Sequence, residues 1–184
     1  MIHAASTTDY NYIISQIDDS DSTNHSVYAF FKEKENIEKE RPHFIEAVLQ
    51  KHSKQMGLIV DEAAFFPHLS ITENLFFCSS IKFSDHKAVL REWLSIFDFS
   101  MSTFLEKFDE LSLLDQVKLQ LLQMILSGKE KIILLNDFSK LTVFQTQLLL
   151  PLLKVLTKKA NISIWLVTAD EKIVNSPYVD KKIS

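Results

Sequence analysis

The chain has 184 residues, of which 46% are hydrophobic and 24% charged, and only Gly57 and Gly128 are glycine. Average usage would give roughly 13 glycines. Loops that wrap phosphate groups need several glycines, because their backbone takes positive φ and approaches the ligand closely. Twenty basic and 24 acidic residues give a formal net charge of −4, which argues against nucleic-acid binding. The composition thus excludes GxGxxG-type loops, and the net charge does not provide the basic surface that nucleic-acid binding requires.

Metal, disulfide and membrane chemistry also lack support in the sequence. The single cysteine, Cys78, excludes an internal disulfide and a Cys-based zinc cluster. The six histidines form no HxxxH or HExxH pair. Residues 1–10 (MIHAASTTDY) lack the basic start and apolar run of a signal peptide, and no apolar stretch approaches 18 residues. We therefore expect a cytoplasmic chain with no metal site and no direct membrane insertion.

The N-terminal quarter of the chain alternates apolar and polar segments. Tyr12–Ile17 (YIISQI) is short and β-branched, which predicts a buried strand, and the polar tract Asp18–Ser26 follows it. Val27–Phe31 is apolar and could open a helix. Lys32–Arg41 is a mixed-charge run, typical of a solvated helix face or a loop. Pro42–Gln50 carries apolar residues at helical spacing.

A clear turn-and-cap signal lies near the middle of the chain. Gly57–Val60 predicts a second strand, and the proline in Phe65–Leu69 predicts a turn. Ser70 precedes the helical segment ITENLFF, with Glu73 three residues later. This spacing is that of a capping box, so we expect a helix to begin directly after Ser70.

The second half alternates helices and strands. Helices are predicted at Ala88–Phe97, Ser112–Leu126 and Gln145–Lys158. Strands are predicted at Lys131–Leu135 and Ile162–Thr168. This order is typical of an α/β fold with a mostly parallel sheet flanked by helices. Residues 76–108 contain no predicted strand. We therefore expect one domain over 1–184, with a core at about 10–75 and 127–184 and an inserted helical subdomain at about 76–126.

The segment Gly57–Leu75 (GLIVDEAAFFPHLSITENL) resembles the Q-loop segment of the ATP-binding subunit of ABC transporters. In that family a strand ends at Gln and a phrase of the type "lFphlTv.eNl" follows. Asp61 stands at the Gln position, while Phe66–Leu69 and Thr72–Leu75 preserve the phrase. The resemblance runs from about Tyr12 to Asp170 and implies a P-loop NTPase-like fold.

Against the family's Walker A pattern, GxxGxGK[ST][ST], the tract Asp18–Ser26 is degenerate. Asp18, Asp21 and Thr23 align with the three glycines, Asn24 with the lysine, His25 with the magnesium-binding Ser/Thr and Ser26 with the last position. Without the resemblance, this tract is a polar loop after a strand.

The other motifs of the family are altered as well. The signature LSGGQ aligns with residues 111–115, where Leu111 and Ser112 are kept and Leu113, Leu114 and Asp115 replace Gly, Gly and Gln. Walker B aligns with residues 131–137. Asn136 stands at the magnesium Asp and Asp137 at the catalytic Glu, although the pair also suits an ordinary strand-end turn. Ala169 takes the place of the switch histidine.

These replacements imply loss of the reaction. Phosphoryl transfer depends on backbone donors, a lysine and a held magnesium ion. By the alignment the loop lacks the lysine and the glycines and carries carboxylates, which would repel a nucleotide. We therefore expect no catalytic residue, doubtful ATP and magnesium binding, and no ATPase activity.

The segment after the Q-loop contacts the membrane subunit's coupling helix in this family. Phe65, Phe66 and His68 are therefore the predicted docking residues, the alternative being that both phenylalanines are buried.

The function that the resemblance implies is a non-catalytic docking or regulatory subunit of a membrane transporter. Its partners would be a membrane permease, another ABC ATPase subunit, or both, and through them it would lie peripherally on the inner face of the cell membrane. One alternative is a weak or asymmetric ATPase subunit that completes a composite ATP site in a heterodimer through Ser112. A further alternative is a free-standing interaction protein.

Overall fold

The computed structural model describes residues 7–20, 24–52, 54–60, 65–135 and 140–183, and within this part the chain forms a five-stranded parallel sheet. The strands are β1 Val27–Phe31, β2 Met56–Val60, β3 Lys131–Leu135, β4 Ser163–Thr168 and β5 Lys181–Ile183. Their spatial order is β2-β3-β4-β1-β5, and every neighbouring pair is parallel. The predicted α/β fold with a parallel sheet is confirmed.

Seven α-helices cover the described part of this sheet. They are α1 Thr7–Asp19, α2 Lys34–His52, α3 Ile71–Phe76, α4 His86–Phe97, α5 Leu113–Leu126, α6 Val143–Lys159 and α7 Glu171–Val174. Three short 3-10 helices, Phe83–Asp85, Met101–Leu105 and Phe108–Glu110, lie between α3 and α5. Described residues 71–126 contain no strand.

Both faces of the sheet are buried, because helices lie on each side. Alternate residues of a strand point to opposite faces. In β1, Val27 and Ala29 join one core cluster with side chains of α3, α5 and α6, while Tyr28 and Phe30 join a second cluster with α1 and α2. The near-continuous apolar sequence of each long strand follows from this two-sided burial.

The structures of two segments near the N-terminus are the reverse of those predicted. Tyr12–Ile17 lies within helix α1 and is not a strand, and Val27–Phe31 is the central strand β1 and not a helix. Ile13, Ile14 and Ile17 are buried together on the second cluster. Their spacing of one and four residues fits one face of a helix as well as it fits a strand buried on both faces. The prediction chose the wrong period.

Gly128 lies in the α5–β3 connection, and Gly57 lies in β2 beside it. Gly128 has φ +72°, a left-handed conformation in which its N–H bonds the Ile125 carbonyl at 2.9 Å just beyond the end of α5. Gly57 lies in β2, where an added Cβ would stand 2.7 Å from Met124 Sδ. Neither glycine belongs to a phosphate-binding loop, because one closes a helix and the other lets β2 pack closely against α5.

Candidate functional site

The carboxyl ends of β1 to β4 meet at one edge of the sheet, since these strands are parallel. Ligands of open α/β sheets bind outside this edge. Lys32 follows β1 and Ala169 follows β4, and the Lys32 N–H donates to the Thr168 carbonyl at 3.0 Å, which brings these two segments side by side. Five predicted site residues lie outside the described part of the chain: Asp21, Thr23, Asp61, Asn136 and Asp137.

The connection after β1 is very short. Only Lys32 and Glu33 lie between the end of β1 and the first residue of α2, Lys34. The N–H groups of Asn36 and Ile37 both donate to the Glu33 carbonyl at 3.0 Å, so the helical hydrogen bonds of α2 begin at this residue. A strand–GxxxxGK[ST]–helix motif places a glycine-rich loop between the strand and the helix, and this two-residue connection leaves no room for one.

A buried ion pair occupies this connection. Lys32 is 6% exposed and its Nζ lies 2.7 Å from Glu40 Oε2, while the Glu40 side chain is 10% exposed. Glu40 projects from the second turn of α2. Lys32, which directly follows β1, therefore faces a carboxylate of the same chain, and this carboxylate balances its charge.

The described residues of the tract aligned with Walker A lie at the opposite edge of the sheet. Asp18 is in the last turn of α1. The Asn24 carbonyl accepts from the Ser163 hydroxyl at 3.0 Å, and the Ser26 carbonyl accepts from the Ile164 N–H at 3.0 Å, which places both residues at the amino end of β4. Ala169 follows the carboxyl end of that strand. The prediction that this tract follows a strand is wrong, and the structure does not bring Asn24, His25 and Ser26 to Ala169.

A second buried lysine fixes the end of α1. Lys131, the first residue of β3, is 8% exposed, and its Nζ donates to the carbonyls of Ile17 at 2.5 Å and Ser20 at 3.1 Å. The last carbonyls of a helix have no partner within the helix, and a cation complements the negative end of the helix dipole. Lys131 thereby anchors the Asp18 end of α1 to the sheet.

The signature-like residues begin helix α5. Ser112 is the N-cap: its hydroxyl accepts from the Asp115 N–H at 3.1 Å and donates to Asp115 Oδ2 at 2.7 Å. Leu111 and Leu114 are buried in the first core cluster, whereas Leu113 is exposed and lines a small cleft beside Val60 at the end of β2. The two leucines aligned with glycines of the signature therefore lie in different places, one in the core and one on the surface.

The predicted docking loop is held by one side chain. Asn74 in α3 is 1% exposed; its Oδ1 accepts from the Phe66 N–H at 2.7 Å, and its Nδ2 donates to three carbonyls. These are the carbonyls of Phe66 at 3.0 Å, Leu69 at 3.1 Å and Ser70 at 3.1 Å. The loop is thus fixed at its start and at its end by Asn74.

The capping box predicted at the start of α3 is present. The Ser70 hydroxyl accepts from the Glu73 N–H at 3.2 Å, and Glu73 Oε2 accepts from the Ser70 N–H at 2.8 Å. The hydrogen bonds from the Ser70 hydroxyl and then from the Ser70 N–H hold the pKa of Glu73 below its ordinary value, because they favour the charged carboxylate.

A groove of about 690 Å³ opens beside this loop, lined by residues of 65–71 and 104–109. Its floor contains Phe65 stacked on Phe108, with ring centroids 4.1 Å apart. Phe66 is 42% exposed, Phe65 is half-buried and His68 is exposed. The alternative that both phenylalanines are buried is therefore wrong for Phe66.

The described residues provide neither a metal cluster nor a membrane-spanning helix. Among them, no group of three or more His, Cys, Asp or Glu is arranged to hold a metal ion. None of the helices in that part of the chain combines the length and the apolar character required to cross a bilayer.

The fold and its site define a parallel α/β domain with a helical insertion and an aromatic groove beside the α3 cap. No protein-family profile matches the chain, and no curated protein sequence does. Among solved structures it is similar to cbiO1 from Clostridium perfringens, part of the ABC transporter complex cbiONQ. The TM-score is 0.68 at 14% identity, over 85% of this chain and 71% of that one.

Two structures of the ABC transporter cassette MJ0796 are also similar. The dimeric bacterial cassette gives a TM-score of 0.64 at 14% identity, covering 86% of this chain and 80% of that one. The dimeric post-hydrolysis state bound to ADP and Pi gives a TM-score of 0.61 at 16% identity, covering 84% of this chain and 79% of that one. The chain therefore has the same overall fold as these ABC transporter cassettes.

Sequence reasoning missed Lys32, Glu40 and Lys131. Lys32 and Glu40 belong to a mixed-charge run, and the composition of such a run does not indicate which of its charged pairs is buried. Lys131 opens an apolar strand, and a lysine at that position could have signalled a partner, since a buried lysine requires one.

Proposed function

We propose that this chain is an ABC-type ATP-binding domain that does not hydrolyse ATP and serves as a docking subunit of a membrane transporter. The likeness of its fold to transporter cassettes supports the transporter role. The observation that carries the loss of activity is the β1–α2 connection, which has two residues in place of a phosphate-binding loop. A phosphate cradle needs successive backbone N–H groups pointing at the anion.

The electrostatics of this connection support the same conclusion. A phosphate-binding lysine must keep its charge available for the β- and γ-phosphates. Lys32 is instead buried and paired with Glu40 at 2.7 Å. A nucleotide would have to displace this carboxylate or remain near its negative charge.

Isothermal titration calorimetry with Mg-ATP, combined with a phosphate-release assay, tests this loss of activity. We expect no binding heat at millimolar nucleotide and phosphate release at the level of buffer alone. The variant Glu40→Gln is the informative control, because it removes the competing charge while the connection stays short. Tight binding with phosphate release by the wild type would overturn the proposal.

The aromatic groove supports the docking role. Phe66 and Leu105 are exposed around a half-buried Phe65–Phe108 stack, and exposed apolar surface of this kind marks interaction sites. By the family resemblance the partner is a membrane permease, which would also hold the chain at the inner face of the membrane.

Affinity purification from detergent-solubilised membranes tests the docking role, with Phe66→Asp as the groove variant. Phe83→Asp is the matched control, since Phe83 is 88% exposed and does not line the groove. We expect a multi-spanning permease, identified by mass spectrometry, to be retained by the wild type and by Phe83→Asp and lost with Phe66→Asp. Retention of soluble proteins alone would favour a free-standing interaction protein.

A second candidate function is a subunit that completes an ATP site of another ABC ATPase. Ser112 is exposed at the N-terminus of α5, and the MJ0796 cassettes are dimers. The assay is ATP turnover by the partner subunit with wild type against Ser112→Ala. Ser100→Ala serves as control, since Ser100 is an exposed serine outside α5. Lower turnover for Ser112→Ala alone would favour the composite site.

A further inference from the structure

We infer that a cleft near the amino edge of the sheet binds a small zwitterion, a free α-amino acid with an apolar side chain. This amino-edge cleft has a volume of about 280 Å³, and its lining includes Asp19, Tyr28, Trp165, Lys181 and Ile183. The volume is close to the lower limit of about 300 Å³ for small-molecule sites, so the occupant must be small. The inference goes beyond the proposed function, because the cleft shares no lining residue with the β1–α2 connection or the aromatic groove.

The amino-edge cleft contains a row of side chains from three neighbouring strands. Tyr28 of β1 is in register with Trp165 of β4 on one side and with Lys181 of β5 on the other. The Tyr28 and Trp165 rings stack with their centroids 4.0 Å apart and their planes 4° apart. The Lys181 Nζ lies over the Tyr28 ring, 5.4 Å from its centroid. Both faces of the Tyr28 ring are therefore covered, and its edge remains for a bound molecule.

This row favours an anionic group in the cleft. The edge of an aromatic ring carries partial positive charge, and the exposed Lys181 adds an ammonium group. Trp165 is 1% exposed, and its Nε1 has no hydrogen-bond partner among the described residues. A buried N–H without a partner is costly, and an acceptor oxygen would remove that cost. A carboxylate supplies both the negative charge and the acceptor oxygens.

The end of α1 places a negative charge at the same cleft. Asp19 is the last residue of α1, and its side chain is exposed. Within the described part of the chain neither Asp19 nor Lys181 forms an ion pair, so these two charges do not neutralise each other. A simple anion would be repelled by Asp19, and a simple cation by Lys181. A free amino acid carries the complementary pair of charges.

The position of each ligand group follows from these charges. The ligand carboxylate lies toward Lys181 and the indole of Trp165, and the ligand ammonium lies toward Asp19. Ile183 adds an apolar wall to the cleft. An apolar wall favours an apolar side chain on the ligand.

NMR of the full chain tests the site with L-leucine as the probe. The chain has two tryptophans, Trp93 and Trp165, so two indole N–H signals are assigned in the wild type. We expect L-leucine at millimolar concentration to shift the Trp165 signal and to leave the Trp93 signal unchanged, because Trp93 packs against the first core cluster. Glycine should bind more weakly, since it lacks the apolar side chain. A Trp165 signal that does not move with L-leucine up to its solubility limit overturns the inference.

Two analogues remove one charge each from the probe. 4-Methylpentanoate lacks the ammonium of L-leucine and 3-methylbutylamine lacks the carboxylate, while both keep the branched side chain. We expect each analogue to bind about fivefold more weakly than L-leucine, the upper range for a charge pair near the surface. An analogue that binds as tightly as L-leucine would show a site for a simple anion or a simple cation, and the zwitterion would be wrong.

Variants of the chain assign the two charges. In Asp19→Asn the preference for L-leucine over 4-methylpentanoate should fall below about twofold, because the ligand ammonium has lost its partner. Lys181→Met should reduce the preference for L-leucine over 3-methylbutylamine. Asp98→Asn and Lys182→Met are the matched controls, since both residues are exposed and neither lines the cleft. The controls should keep both preferences, and equal effects of variants and controls would overturn the assignment.

These measurements involve neither a nucleotide nor a permease. A negative result therefore overturns the amino-acid site and leaves the proposed transporter role as it stands. Loss of the permease result, with the expected shifts and preferences, overturns the transporter role and leaves the site standing.

Discussion

Two regions of the molecule are stabilised by contacts of very different range. The docking region, residues 65–76, is held mainly by hydrogen bonds between residues three to eight positions apart. The first-strand region, residues 7–40, contains the local Lys32–Glu40 pair but is otherwise held to the rest of the fold by distant partners. Lys131 donates to Ile17 over 114 positions, Asp180 accepts from the Val27 N–H over 153, and Ser163 donates to Asn24 over 139.

This difference predicts how each region responds to damage. Closing a short loop costs little entropy, so the docking region can reorder independently once its local bonds are restored. The first-strand region can form only when the rest of the sheet is present, since β1 lies between β4 and β5. Variants in residues 7–40 should therefore lower the free energy of global unfolding, and variants in residues 65–76 should act locally.

Breaking the Lys32–Glu40 pair should have the largest effect. Lys32→Met leaves the Glu40 carboxylate buried without its ammonium partner, and we expect a loss of about 3–5 kcal/mol in the free energy of unfolding, measured by urea denaturation. Lys32→Met/Glu40→Leu removes both charges and should recover most of that loss. Equal stability of the single variant and the wild type would contradict the buried pair.

Removing the lysine at the end of α1 should have the next largest effect. Lys131→Met keeps the length of the side chain and removes the donor to the Ile17 and Ser20 carbonyls. We expect a loss of about 1.5–3 kcal/mol, together with reduced amide protection in α1. Lys129→Met is the control, because the exposed Lys129 ammonium bonds the Lys54 carbonyl at 3.3 Å on the surface. Unchanged α1 protection would show that Lys131 does not anchor this helix.

The range of contacts also explains which parts of the fold could be predicted. Ser70, Glu73 and the turn before them were predicted correctly, because the capping box is encoded within four residues. The strand β3 was predicted correctly because five consecutive apolar or aliphatic-stemmed residues fit a strand buried on both faces.

The first-strand region could not be predicted from local pattern. Ile13, Ile14 and Ile17 fit both periods, and only packing against β1 and the Lys131 cap selects the helix. Tertiary contacts override weak local preference in short segments. The same error put the expected phosphate loop in the wrong segment. The alignment placed this loop before β1, whereas the connection that follows β1 is Lys32–Glu33.

A smaller and local effect is expected from the cap in the docking region. Ser70→Ala removes the acceptor of the Glu73 N–H, and the typical loss for such a cap is about 1 kcal/mol. We expect the loss of amide protection to be confined to α3 and residues 66–70. Ser84→Ala, an exposed serine that bonds only its neighbour Asp85, should change nothing. A uniform loss of protection across the sheet would show that the docking region is not locally stabilised.

The smallest expected effect is a difference between the two regions in how their stability depends on pH. Burial tends to raise the pKa of Asp180, but hydrogen bonds from Lys154 and the Val27 N–H, with the charges of Lys154 and Lys158, outweigh it and keep the pKa below its ordinary value. The pKa of Glu73 is lowered by Ser70. A carboxyl group with a lowered pKa stabilises the folded state above its unfolded pKa, about 4. That contribution is lost as the pH falls through the folded pKa.

The two carboxylates should therefore appear in different measurements. Asp180→Asn should flatten the decline of global stability below about pH 4, because Asp180 connects β1 to the C-terminal part of the chain. Glu73→Gln can keep the cap geometry without titrating. It should leave the global curve unchanged and remove only the pH dependence of α3 amide protection. If Glu73→Gln flattened the global curve as much as Asp180→Asn, the two regions would unfold as one unit, and the separation between local and long-range stabilisation would fail.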